Sequence, residues 1–211
     1  CELHQDCHVY VLLDRNCPVV DTHELHEAKL AKRAIQRLQV PVLRPDFAHE
    51  PETLPSLMLL RQADEHGWVD EELVRATVDC ALQRCASVNG AYVAGWLLSQ
   101  ASPNDIARHL CSAGVVFDMG QGRTRYLPYF EPHALALVHA HSDATALPAW
   151  LGPVQCWGYV DLLGQLKALQ LPKDVPVRTG AKPKPTAKLM AALSRRKLAR
   201  SIAAHAGAQS L

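Results

Sequence analysis

The sequence predicts an α/β fold, with mixed sheets and flanking helices in one or two lobes, ending in a basic helical tail. Three observations carry this expectation. The chain of 211 residues is 48% hydrophobic and 20% charged, enough apolar material to build a core without disulfide or metal staples. Short β-rich apolar runs alternate in loose order with segments of helical period, and a glycine-centred hairpin interrupts them. That order favours a mixed sheet over a strictly parallel one. Residues 175–211 hold eight Lys/Arg and no acid, whereas the residues before them hold fourteen Lys/Arg and twenty-one Asp/Glu. An acidic body followed by a basic tail divides the chain into a body over 1–171, a Pro/Lys-rich linker over 172–186 and a helical tail over 187–211.

Taken in order, Val9–Asp14 (VYVLLD) is a short apolar run of strand type. Asp21 and Thr22 open a helical stretch to about Leu38, with Leu25, Ala28, Ala31, Ile35 and Leu38 near one face. Residues 41–55 contain four prolines and read as loop, before a strand over Leu57–Arg61. Asp70 caps a helix to about Ala86, in which Leu73, Val74, Val78 and Leu82 are the expected buried residues. Ala91–Leu98 is the next strand. Ser102-Pro103-Asn104-Asp105 is the strongest local signal, with a capping Ser, a Pro in the first turn and an acid at the third position. The helix that follows buries Ile106 and Leu110.

Val115–Phe117 and Thr124–Phe130 flank Gly120-Gln121-Gly122 and read as a hairpin. Pro132 begins a helix to about Ala140, and Leu147–Leu151 forms a shorter one. Val154–Val160 is a strand that Gly164 turns back into Leu166–Leu169. The tail, rich in Ala, Leu, Lys and Arg, forms helix readily but is weakly stable alone.

No stretch approaches the ~20 apolar residues that cross a bilayer, so membrane insertion is not expected. The opening residues CELHQDCH lack the basic and apolar regions of a signal peptide, and a start at Cys suggests that sequence has been removed before it. Seven cysteines, odd in number and irregularly spaced, read as buried thiols of a reducing compartment.

Catalytic and metal chemistry finds little purchase. Cys1, His4, Cys7 and His8, then His23 with His26, then His139 with His141, are the conceivable ligands, and none has the spacing of a structural zinc site. Gly120-x-Gly122 is a turn and no phosphate loop. No Gly-x-Ser-x-Gly elbow occurs, and Asp70, Glu71 and Glu72 suit a helix start better than an acid–base pair. The expectation is therefore no enzyme, no metal and no cofactor. Trp96 and Trp157 sit in strand-like runs beside Gly95 and Gly158 and read as packing residues. Arg123, Arg125, Tyr126, Tyr129 and Phe130 read as a packed strand with exposed arginines.

Three readings of the tail remain open: a solvated end, a helix that docks on its own body or on a protein partner, and a nucleic-acid patch. In the docking reading Leu189, Leu193, Leu198 and Ile202 are apolar anchors, while Arg195, Arg196, Lys197 and Arg200 form the rim.

Four blocks in this order carry a family resemblance. They are Val9–Asp14, Gly95-Trp96-Leu-Leu-Ser99 with Ile106–Leu110, Tyr126-Leu-Pro-Tyr-Phe130-Glu131-Pro132, and Leu151-Gly152-Pro153-Val-Gln-Cys-Trp157. Over roughly residues 8–170 the chain resembles the DUF4123 family, adaptor chaperones of the bacterial type VI secretion system. The family block of an aromatic pair followed by Asp-Pro-Arg is here Phe130-Glu131-Pro132-His133, so the arginine is missing. The resemblance implies a cytoplasmic, non-enzymatic bacterial protein that binds a toxic effector and helps load it onto the VgrG spike. The residues fit that expectation in having no convincing active site, an acidic body, exposed aromatics and a tail free to dock. The alternative is a nucleic-acid-associated protein that uses Lys182–Arg200.

Overall fold

A computed structural model describes residues 6–17, 19–34, 39–43, 54–63, 69–84, 90–118, 122–172 and 182–195. The elements in chain order are β1 (His8–Leu13), α1 (Glu27–Ala34), β2 (Gln39–Pro41), β3 (Ser56–Arg61), α2 (Glu71–Arg84), β4 (Val93–Ser99), α3 (Pro103–Gly114), β5 (Val115–Asp118), β6 (Arg123–Tyr126), α4 (Pro132–His141), α5 (Leu147–Leu151), β7 (Cys156–Val160) and β8 (Leu166–Gln170). A last helix, α6, covers residues 187–195. The chain thus has the expected α/β architecture. Six strands form one sheet in the order β2-β3-β1-β4-β7-β8, and β5 with β6 forms a separate hairpin. Every pairing between these strands is antiparallel.

The central strands of the six-stranded sheet are buried on both faces, and the pleat sorts their residues between two apolar clusters. On β1, Tyr10 and Leu12 enter the larger cluster while Val11 and Leu13 enter the smaller. Leu57 and Met58 of β3 divide in the same way. The larger cluster draws in α3, α4, α5 and the leucines of α6; the smaller takes Leu30 of α1 and Leu73, Cys80 and Ala81 of α2. A strand wanted by two cores must be apolar at successive positions, which is why β1 and β4 read as continuous apolar runs.

Local chemistry sets several boundaries. Ser102 caps α3: its Oγ accepts from Asp105 N at 3.2 Å and donates to the Asp105 carboxylate at 2.7 Å. Asp70 Oδ1 accepts from Leu73 N at 2.8 Å and so begins α2. Gly122 and Gly164, both at positive φ, close the β5–β6 and β7–β8 hairpins.

Three expectations need correction. The helix expected from Asp21 starts only at Glu27, because residues 21–26 form turns in which His23 Nδ1 accepts from Leu25 N at 3.0 Å. The loop expected from residue 41 is preceded by β2, which pairs Val40 with Leu57. On α2 the buried stripe is Leu73, Thr77, Cys80 and Ala81, whereas Val78 and Leu82 are exposed. Beyond Leu73 the side chains on the sheet-facing stripe are small, and Val78 and Leu82 lie outside it.

Candidate functional site

Three of the four blocks that carry the family resemblance converge on the C-terminal end of α5. From α3, His109 Nε2 donates to the carbonyl of Trp150 at 3.0 Å. The hydroxyl of Tyr129 donates to the same oxygen at 3.1 Å. Ser99, at the end of β4, donates from Oγ to Pro153 O at 2.6 Å, and Gln155 N donates to Leu98 O at 2.9 Å. The turn after α5 depends on Gly152, at φ +56°, because the His109 ring occupies the space that a Cβ would need. Gly95 is constrained in a similar way. At φ +147° it lies under the Trp157 indole, whose Nε1 would stand 2.6 Å from an added Cβ.

Around this junction the aromatic rings form one packed group. The Tyr129 centroid lies 5.0 Å from that of Trp150, 6.0 Å from Trp157 and 6.5 Å from Phe130. All four side chains are fully buried. Burial pushes the Tyr129 hydroxyl well above the usual phenol range. It also holds the His109 imidazole below its usual range, against the opposing effect of the bond to Trp150. With Nε2 donating, Nδ1 is the unprotonated nitrogen, and no described residue hydrogen-bonds to it. A neutral, buried imidazole bonded to the Trp150 carbonyl ties α3 to α5. Among the described residues no nucleophile or carboxylate is bonded to it for acid–base chemistry.

The expected motif residues therefore fall inside the fold. Phe130, Pro132, Gly152, Pro153 and Trp157 are buried, and Glu131 is half-buried at the N-terminus of α4 with no side-chain capping bond. Trp96 belongs to the opposite face, half-buried in the smaller cluster, with its Nε1 donating to Thr77 Oγ1 at 2.9 Å. Tyr129 and Phe130 are both enclosed, as the packed reading of that block expects.

The tail residues divide. Leu189 and Leu193 are buried, in the same cluster as Trp157 and Tyr129, and Leu189 N donates to Thr186 Oγ1 at 3.2 Å to cap α6. Lys182, Lys184, Lys188 and Arg195 are exposed. Arg196, Lys197, Leu198, Arg200 and Ile202 lie outside the described residues. Of the three readings of the tail, docking on the chain's own body describes Leu189 and Leu193.

The histidines and cysteines weighed as ligands are dispersed. Among the described residues no three His, Cys, Asp or Glu side chains come together as a metal group. His8 Nδ1 accepts from Ala63 N, and His139 Nδ1 lies 3.2 Å from the Tyr159 hydroxyl. Cys1 and His4 lie outside the described residues. Cys7 donates to Gln155 Oε1 at 3.0 Å, and burial raises the thiol pKa of both Cys7 and Cys156, the opposite of what a thiolate nucleophile needs.

Sequence reasoning overlooked the tip of the β7–β8 hairpin. Leu162, Leu163 and Leu166 are 55%, 81% and 69% exposed, a dense apolar display for five consecutive positions. The signal was the Asp161-Leu-Leu-Gly164 turn, in which a polar turn frame carries two leucines. No described helix is long and apolar enough to cross a membrane. Comparison of the chain with protein-family models, curated proteins and solved structures gives no match in any of the three.

Proposed function

We propose that this chain is a cytoplasmic bacterial adaptor chaperone that binds a toxic type VI secretion effector and helps load it onto the VgrG spike. The observation that carries the reading is the ordered set of four blocks. Three of them are the segments that bond one another around Trp150 and Pro153, so a sequence that keeps the blocks keeps this junction. In support, the exposed chemistry is that of binding: the apolar side chains of Val20, Leu43 and Phe117 and cations on the outer side of α6. The chain would act stoichiometrically, holding its cargo through apolar contacts while charges steer the encounter.

The test is co-expression of the full chain with the toxin and the VgrG protein encoded beside it. Co-elution of a chain–toxin complex that also takes up VgrG supports the reading. Separate elution of chain and toxin refutes it. The exposed Lys182, Lys184, Lys188 and Arg195 favour a second reading, a nucleic-acid-associated protein. That reading requires an affinity for DNA or RNA that falls steeply with salt.

A further inference from the structure

We propose that β8 is a docking edge for a second copy of this chain, the two copies pairing antiparallel about a two-fold axis. The backbone hydrogen bonds fix which groups face outward. Leu171 N donates to Gln155 O at 3.0 Å, and Asp161 N donates to Gln165 O at 2.9 Å. In an antiparallel ladder bonded pairs alternate with unbonded ones. The pairs Gly158–Ala168 and Val160–Leu166 are therefore of the unbonded kind, and the N–H and C=O of Leu166 and Ala168 point away from β7. Strand β8 ends the sheet, and no described strand pairs with its outer side.

The opposite edge is built differently. Val42 N bonds Pro55 O, so by the same alternation Gln39 and Pro41 face outward on β2. That strand has three residues, and one of its two outward positions is a proline without an N–H. Short length and proline are the usual guards of a sheet edge. β8 has neither: it is five residues long, with Leu166 and Ala168 outward and exposed. Its lysine is not a guard either. The Lys167 ammonium is drawn back to Gln165 Oε1 at 2.7 Å and lies 3.9 Å from Asp161.

The charge balance at this edge selects a copy of the same chain over a phosphate-bearing partner. Lys167 already has its counter-charge, so an anionic strand or headgroup gains little there, and two copies meet without like-charge repulsion. An antiparallel edge is complementary to itself under a two-fold rotation. The seam is flanked by tip leucines that are presented rigidly. Asp161 Oδ1 accepts from both Leu163 N and Gln165 N at 2.9 Å, and Gly164 N donates to Asp161 O at 3.0 Å. A five-residue edge with three leucines is far smaller than the roughly 20–30 residues per side of a standard interface, so the dimer is a weak one that separates on dilution.

The experiment is sedimentation equilibrium of the full chain from about 1 μM to 1 mM, a range that spans micromolar to millimolar dissociation constants, with amide hydrogen exchange at the two extremes. The expected result is a monomer that becomes a dimer as concentration rises, with the amides of Leu166 and Ala168 gaining protection. Ala168→Pro removes an outward N–H without touching the β7 ladder, and Leu163→Asp alters only the exposed tip. Each is expected to shift the dissociation constant upward at least tenfold. A chain that stays monomeric throughout overturns the proposal, as does a dimer that survives both substitutions or protects other amides. None of these outcomes depends on effector binding, so the adaptor reading stands or falls separately.

Discussion

His109 on α3 and Trp150 on α5 are joined by a 3.0 Å hydrogen bond from imidazole Nε2 to the main-chain carbonyl, inside the larger apolar cluster. Burial holds the imidazole neutral and its pKa below the ordinary value. The unfolded chain takes up a proton near pH 6.5 while the folded chain resists it, so this contribution to stability is complete above about pH 6.5. It is lost as pH falls from there toward the folded pKa, with a limiting slope of about 1.4 kcal/mol per pH unit. Urea midpoints measured between pH 8 and pH 5 should fall for the wild-type chain and fall less for His109→Gln. Equal slopes would remove His109 from the account.

Glycine substitutions should separate a crowded position from an open one. Gly152→Ala drives a methyl group into the His109 ring and strains the backbone at φ +56°, so a loss of about 3 kcal/mol or more is expected. Gly122→Ala has a similar φ of +61° with nothing within 4 Å, so only the left-handed penalty of about 1 kcal/mol remains. Thermal unfolding of the two variants side by side measures the difference.

The two sheet tryptophans should not behave alike. Trp157 is fully buried among Tyr129 and the larger cluster, and Trp157→Ala is expected to cost about 3–5 kcal/mol. Trp96 is half-buried, with one hydrogen bond to Thr77. Its truncation should cost about half as much. Acrylamide quenching should follow the same order, with Trp96 the more accessible in single-tryptophan variants.

The tail should contribute to the stability of the body. Leu189 and Leu193 are 1% and 7% exposed within the main cluster. Leu189→Ala should therefore cost about 2–4 kcal/mol, and truncation after residue 186 at least as much. Arg195→Ala, on an exposed position, should stay within about 0.5 kcal/mol. A truncated chain with an unchanged melting temperature would show that α6 is separable from the body.

What was legible in the sequence was whatever local chemistry decides. The Ser102–Asp105 cap, the prolines at the starts of α4 and α5, and the glycine turns at 122 and 164 each fixed an element boundary without help from distant residues. What was not legible depended on packing partners. Large apolar residues marked Val78 and Leu82 as core on α2, yet the sheet admits Thr77, Cys80 and Ala81 instead. β2 is too short to show a period. The spacing of Leu189 and Leu193 gave a stripe on α6 but could not say that the chain's own body receives it. The same limit hid the junction at Trp150, where a carbonyl that has no sequence signature collects bonds from His109 and Tyr129.

The proposal that the chain is an effector adaptor is tested most directly in the organism that makes it. The measurement is secretion of the toxin that the proposal expects to be encoded beside it, compared between the parent strain, a strain lacking this chain, and the complemented strain. The account predicts that the toxin disappears from the secreted fraction without the chain and returns on complementation, while the secretion tube protein is exported at parental levels throughout. Toxin export at parental levels in the absence of the chain would contradict it.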